Sequence, residues 1–361
     1  MSRFARHRRV FFVEEPVFDT GEPALQTSVC PHTGVRVITP HMSPEHNRSR
    51  VMERLIAELI RAEEILNPIV WFYTPMALDF FPETVIPSAV VYDCMDELSS
   101  FRGAPQELRD LEVQLLRRAD LVFTGGISLF EAKRSLHQRV FPFPSGVDVA
   151  HFMKARGISA DKHQGVGRPR IGYAGVIDER LDLDLLEKAA RRRPDWQFVM
   201  IGPIAKIPAD SLPRRANIHW MGMKPYSDLP AYFAGWDVAM MPFALNEATR
   251  FISPTKTPEF LAAGLPVVST AIRDVVRPYG ELGLVRIVST PAEFVSAAEH
   301  AMAVDMSLKW RERADQFLSS LSWDSVWDGM NRLIAGVLQS DKAAGAGPGA
   351  WTNSSTEPAR V

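Results

Sequence analysis

Apolar positions fall in short runs bounded by glycine and proline, and the runs alternate with stretches in which apolar residues recur every three to four positions. In the first half, VRVITP (35–40), PIVWFYTP (68–75), AVVYD (89–93) and ADLVFTGG (119–126) read as strands. Residues 45–66 and 106–118 carry the helical period between them. The opening MSRFARHRRV surrounds Phe4 and Ala5 with arginines and runs into apolar VFFV. It reads as a helix end, where cations are favoured, feeding a strand at 10–13. Strands alternating with helices imply right-handed crossovers and a parallel, doubly wound sheet.

The pattern changes at VFPFPSGVDVAHF (140–152), which is proline-rich and has no helical period, and the polar, glycine-rich stretch 155–169 reads as a linker. A second alternating series follows. Its strands are IGYAGVI (171–177), QFVMIGP (197–203), NIHWMG (217–222), DVAMMPF (237–243) and PVVST (266–270). Its helices fall at 182–192, 227–234 and in SPTKTPEFLAAG (253–264), with two more at 291–318 and 323–338. The small, polar tail 340–361 reads as disordered. The expected organisation is α/β. One Rossmann-like domain spans 1–154 and a second 170–322, with a cleft between them and the helix 323–338 after them.

Composition narrows the functional classes. A chain of 361 residues, 46% hydrophobic and 23% charged, is long enough for two cores, and no apolar run is long and charge-free enough to span a bilayer. A net charge of -2 from 41 basic and 43 acidic residues supplies no global field for nucleic acid. Two cysteines, Cys30 and Cys94, suggest neither a disulfide framework nor a four-ligand zinc site and fit a cytoplasmic protein. The arginines at 3–9 and 109–118 leave one mode of membrane contact, peripheral at the inner face.

The stretch SPTKTPEFLAAGLPVVST (253–270) carries the chemistry. Ser253 suits an N-cap, Pro254 the first helical position, and Gly264 the stop before the next strand. Free N–H groups and the dipole at such a helix start attract phosphate oxygens. Lys256 adds a cation there, and Glu259, one turn on along the same face, is placed to accept from both hydroxyls of a ribose. A surface ion pair worth a few tenths of a kcal/mol explains the two residues equally well from this motif alone.

Three segments together, RPRIGYAGVIDERLDLDLLEKAARRRPDWQFVMIGP, NIHWMGMKPYSDLPAYFAGWDVAMMPF and SPTKTPEFLAAGLPVVST, resemble the nucleotide-binding domain of GT-B glycosyltransferases. The similarity is to the bacterial group 1 proteins related to teichuronic-acid and exopolysaccharide transferases. VYDCMDELSSF, ADLVFTGG and FPFPSGVDVAHF look like parts of that family's acceptor domain. The resemblance implies a nucleotide-sugar donor, a saccharide or lipid-linked acceptor, no further cofactor, no bound metal and no nucleic acid. It implies Lys256 on the donor diphosphate, Glu259 on the ribose, Gly175 giving backbone access to the phosphates, Arg180 as a second cation, and Ser253 and Thr255 at the helix start. It also implies the 323–338 helix returning to the first domain.

Among Asp93, Asp96 and Glu97, Asp96 is the candidate general base; the three acids serve equally as a loop that caps the next helix. Two departures stand out. Phe251 occupies the place of the first of two glutamates in the usual signature, and the family's first N-terminal strand has no counterpart: either translation starts upstream of Met1, or the first βα element has been lost, which in a parallel sheet would expose a backbone edge and apolar faces. A nucleotide-sugar epimerase of the same architecture and a non-catalytic nucleotide-sugar-binding protein are the alternatives.

Overall fold

The computed structural model describes residues 1–19, 21–101, 103–158, 162–303 and 308–344. In the first half the strands are β1 (Phe11–Val13), β2 (Val17–Phe18), β3 (Ala24–Val29), β4 (Arg36–Met42), β5 (Ile69–Phe72), β6 (Ala89–Cys94), β7 (Leu121–Thr124) and β8 (Val140–Pro142). They make two separate sheets. In one, β4 pairs in parallel with β1 and β2 and antiparallel with β3; in the other, β5, β6, β7 and β8 are ordered in sequence and all parallel.

The expected parallel sheet therefore holds for β5 to β8 but not for β3. The ALQTSV segment of β3 has almost no buried position, so no apolar run announces it. Backbone pairing to β4, with Thr27 opposite Ile38, is what makes it a strand.

Helix α1 (Arg48–Ala62) covers β4 with Met52, Leu55, Ile56 and Leu59, and Asn47 caps it by accepting from the Arg50 N–H. Its period is legible from residue 45, but the cap fixes the start three residues later. Helices α2 (Glu107–Arg118) and α3 (Ile127–Lys133) pack on the β5–β8 sheet, where Leu115, Leu116 and Leu129 meet Val70, Tyr92 and Val122.

The second half holds one six-stranded parallel sheet in the order β11-β10-β9-β12-β13-β14. Its strands are β9 (Arg170–Ala174), β10 (Gln197–Ile201), β11 (Ile218–Trp220), β12 (Val238–Met241), β13 (Val267–Thr270) and β14 (Val285–Val288). The flanking helices are α4 (Val149–Met153), α5 (Leu183–Arg192), α6 (Leu229–Phe233), α7 (Lys256–Ala262), α8 (Arg273–Val275), α9 (Pro291–Ala303) and α10 (Leu308–Ser319). β9, β12 and β13 are buried at every residue, as expected of central parallel strands covered on both faces. Gly172 in β9 faces the Trp236 indole so closely that a Cβ would lie within 2.3 Å of three ring atoms.

The chain enters this second core before the stretch read as a linker. Val147, Phe152 and Ala155 belong to the second core, and Arg156 donates to the carbonyls of Leu261 and Ala262 and pairs with Asp315. Residues 159–161 of that stretch lie outside the described residues. The outgoing strand and the returning chain meet at a bridge between Val147 and Ser322.

Helix α11 (Trp323–Ala344) then packs Met330, Ile334 and Val337 against Ala89, Val91, Leu121 and Phe123 of the first half. The tail expected to be disordered over 340–361 lies outside the described residues from 345 on, and residues 340–344 continue α11. No helix among the described residues is long and apolar enough to cross a membrane.

Candidate active site

The helix that carries Lys256 and Glu259 starts two residues later than its cap residues suggest. Pro258 has no N–H to give to the carbonyl four residues back and its ring would crowd that carbonyl, so Pro258 must lie within the first turn. Pro254 is left outside, α7 begins at Lys256, and Thr255 stands at the cap position without a side-chain cap bond. Ser253 is therefore not the N-cap. Its side chain is instead beside the Asp274 carboxylate.

Lys256 and Glu259 pair with each other across one turn, with Nζ 3.1 Å from Oε1 and 3.0 Å from Oε2. This is not a solvated surface pair, because Glu259 is only 9% exposed. Burial raises the Glu259 pKa, and the Lys256 charge and hydrogen bond work against that rise. His151, from α4, adds a third electrostatic neighbour to Glu259. Its ring stacks on Tyr226 at 4.4 Å between centroids, and its Nε2 donates to the Tyr226 carbonyl (3.0 Å). His151 and Tyr226 were not singled out in the sequence; the signal available was Asp148, which caps α4 by accepting from the His151 N–H.

Arg180 does not stand free at a helix start. Its Nε and Nη2 clamp the buried Asp178 carboxylate at 2.7–3.0 Å, while Nη1 makes no hydrogen bond among the described residues. Across the cleft it senses Asp96: burial raises the Asp96 pKa and the Arg180 charge lowers it. Lys206 of the second half likewise lies over the Phe101 ring of the first, 5.0 Å from its centroid. The loop of Arg180 is tied to the approach of α7 through the Ala244 N–H, which donates to the Arg180 carbonyl (2.8 Å), and through Thr249, whose hydroxyl donates to Ala244.

Gly175 ends β9 and is closely packed. A Cβ there would sit 2.7 Å from the Tyr173 hydroxyl, and a Cβ on Gly202 would meet the Gly175 carbonyl at 1.8 Å. The segment after Gly175 is a loop, and the next helix starts at Leu183, so Gly175 does not form a tight strand-to-helix turn.

The three acids within and after the end of β6 separate into three environments. Asp93 lies inside β6, 4% exposed, with Oδ2 accepting from the Trp71 indole (3.1 Å). Glu97 is engaged by the buried Lys133 at 2.7 Å, and Lys133 also binds both oxygens of Glu112 at 2.8 Å. Asp96 alone of the three faces the second domain's cation.

Phe251 packs, partly buried, against the first-half core cluster that includes Phe72, Leu115 and Leu129. Asp274 of α8 accepts from the backbone N–H of Ser128 in the first turn of α3 (2.9 Å), and Arg273 pairs with Glu131. A Cβ on Gly126 would lie 2.0 Å from Asp274 Oδ2 and 2.7 Å from the Ser253 Cβ, so this glycine is what lets the two halves close on each other. Among the described residues no group of three or more His, Cys, Asp or Glu side chains stands close enough to hold a metal ion.

Residues 168–303 match the family model for glycosyl transferases group 1. Over 263 residues the chain is 27% identical to TuaH of Bacillus subtilis (strain 168), named as a teichuronic acid biosynthesis glycosyltransferase. The match covers 66% of this chain, which spans 64% of the length of that relative. Among solved structures, the sucrose-phosphate synthase of Thermosynechococcus elongatus aligns with a TM-score of 0.65 at 14% identity, covering 94% of this chain and 91% of the other. An α,α-trehalose-phosphate synthase of Burkholderia xenovorans aligns with a TM-score of 0.62 at 14% identity over 92% and 93% of the two chains. At such identities these structures establish a shared fold.

Proposed function

We propose that this protein moves a sugar from a nucleotide-sugar donor to a saccharide or lipid-linked acceptor in the building of a cell-surface polysaccharide; the match of residues 168–303 to the group 1 glycosyl transferase model and the shared fold support the reading. One observation carries the reading: a largely buried, preformed Lys256–Glu259 pair on the first turn of α7. An ion pair in such a place is ready to exchange partners. A donor diphosphate replaces Glu259 as the counter-charge of Lys256, and the released carboxylate accepts from the ribose hydroxyls.

The remaining residues take roles consistent with their positions. The N–H groups at the start of α7, with Ser253 and Thr255, add to the phosphate site. Gly175 lets the backbone reach the donor, and Arg180 offers Nη1 to the departing diphosphate while Asp178 holds its other nitrogens. Asp96 stands across the cleft as the base for the acceptor hydroxyl, and the burial that raises its pKa makes it a better proton acceptor. The Tyr226 ring, stacked on His151 beside Glu259, provides a face for the nucleobase. No cofactor beyond the donor is invoked.

The fate of Phe251 favours one second reading. Docked in the first-half core, it supplies no carboxylate to a donor sugar, so a binding-only role is the alternative. Contact with a membrane surface, if the acceptor is lipid-linked, rests on few residues: Arg3 and Arg6 are held by Asp324 and Arg9 lies 3.7 Å from Glu63, so Arg8 remains among the N-terminal arginines. Flotation with anionic vesicles checks it; no lipid dependence removes the membrane clause.

A thermal-shift screen of nucleotide sugars, followed by product analysis with saccharide acceptors, tests the main reading. A donor that stabilises wild type but not Lys256→Ala, together with a new glycosidic product, is the expected result. Stabilisation without product under any acceptor supports the binding-only role. A response unchanged in both Lys256→Ala and Glu259→Ala overturns the placement of the donor.

A further inference from the structure

One carboxylate at the cleft is shielded without a hydrogen bond to hold it. The Glu179 side chain is 22% exposed, through its methylenes, yet both oxygens are shut off from solvent and neither accepts a hydrogen bond among the described residues. The strongest donor beside it is already spent, because Arg180 keeps Nε and Nη2 on Asp178. Lys206 comes nearest, with Nζ 3.8 Å from Oε1, which is an ion pair but too long for a hydrogen bond. A shielded carboxylate in this condition is costly, and it needs donors that the chain does not supply.

The backbone fixes where this carboxylate stands. The loops after β9 and β10 are zipped together: Ile177 bridges Ile204, the Ile177 N–H donates to the Pro203 carbonyl (2.9 Å), and the Ala205 N–H donates to the Ile177 carbonyl (3.0 Å). That pairing brings Lys206 to Glu179. On the other side Leu181 bridges Phe243, so the same loop is fastened to the segment that leads to α7. Lys206 itself has a φ of 60°, a left-handed backbone that lysine seldom takes, and its ammonium lies over the Phe101 ring of the first half. Glu179 therefore stands between Arg180, which faces Asp96, and Lys206, which meets Phe101.

The chemistry of the place selects its occupant. A phosphate is repelled by the carboxylate, and among the described residues no three His, Cys, Asp or Glu side chains gather to hold a cation. A carboxylate with a distant ammonium suits a neutral molecule rich in hydroxyls. Adjacent hydroxyls donate to the two oxygens, and the ammonium donates to a hydroxyl or ring oxygen of the same molecule. With the donor diphosphate on Lys256 and Arg180 and the acceptor hydroxyl at Asp96, the sugar in transit lies between Arg180 and the first half, where Glu179 stands.

We propose that Glu179 is a specificity-determining residue, accepting from two adjacent hydroxyls of the sugar being transferred while Lys206 donates to the same ring. The inference rests on the nucleotide-sugar reading and adds to it the group that tells one donor sugar from another.

The test is calorimetric titration of the full chain with UDP, dTDP, GDP and ADP, each against its hexose conjugates. The ratio of conjugate to diphosphate affinity isolates the sugar. Glu179→Gln, which keeps the shape and loses an acceptor and the charge, is expected to lower that ratio at least tenfold while leaving the diphosphate affinity unchanged. Deoxy conjugates supply a readout that needs no folded variant: removing one of the held hydroxyls should weaken wild type and make no difference to Glu179→Gln. An unchanged ratio, or deoxy conjugates that all bind wild type as well as the parent, overturns the inference and leaves the donor reading standing. An equal loss for diphosphate and conjugate gives Glu179 a role in loop structure and overturns it too. If no diphosphate or conjugate binds, or if Lys256→Ala binds them as wild type does, the donor reading fails and this inference fails with it.

Discussion

Lys256 and Glu259 pair across one turn of α7 with the carboxylate almost fully buried. Burial raises the Glu259 pKa, so the carboxylate that would hold a ribose is lost at a higher pH than for an exposed glutamate. Nucleotide-sugar affinity should therefore weaken as pH falls through the acid range, and calorimetric titration of the stabilising donor at several pH values checks it. Lys256→Ala should weaken the same donor at least tenfold, since a hydrogen bond to a charged group contributes about 1.5–3 kcal/mol.

Asp93 is a second case at this scale. Burial pushes its pKa from 3.8 up to about 7, against the pull of the Trp71 hydrogen bond and the Met1 α-amino group. The folded state then binds more protons than the unfolded state between pH 3.8 and about 7, so the stability tied to Asp93 is greatest at low pH and is lost as pH rises through that window. In Asp93→Asn, the fall in urea midpoint between pH 5 and pH 7.5 should be smaller than in wild type. An identical fall in both proteins counts against the assignment.

At the scale of elements, α3 is held at both ends by charges that its sequence does not explain. Its first turn gives the Ser128 N–H to Asp274 of the other half, and its last residue, Lys133, is buried between Glu97 and Glu112. Lys133 is 4% exposed, and hydrogen bonds to both acids keep its pKa raised despite burial. Lys133→Met leaves two largely buried carboxylates facing each other without a cation. A loss of about 3–5 kcal/mol is expected, read as a lower denaturant midpoint. The loss should shrink at acid pH, where the carboxylates are neutral, and an unchanged midpoint at neutral pH would rule out the buried triad.

Over the whole molecule, Phe251 and Asp274 tie the halves together beside the cleft. The residue that departs from the family signature is thus among those that cross the domain boundary, with Asp274, Arg273 and Lys206. Phe251→Ala should loosen the closed arrangement, raising the radius of gyration in small-angle scattering. Donor affinity should change less than acceptor KM, because Lys256 and Glu259 lie wholly in the second half. An unchanged radius would mean that other contacts hold the halves together.

The alternation of strands and helices, the glycine stop after α7 and the Lys-Glu spacing could all be read along the chain, because each depends on residues within a turn or two of one another; the short α4 lies in a stretch read as having no helical period. Strand β3 could not, since exposed residues gain their extended form only by pairing with β4. Nor could the start of α7 be read from its best cap residue, because Pro258 overrides Ser253. The Lys133 triad, the His151–Tyr226 stack and the docking of Phe251 join residues from separate elements. Sequence alone determined most of the elements and the Lys256–Glu259 spacing, through local sterics and hydrogen bonding. The tertiary structure decided which charges were buried together, because desolvation and packing act only once distant segments meet.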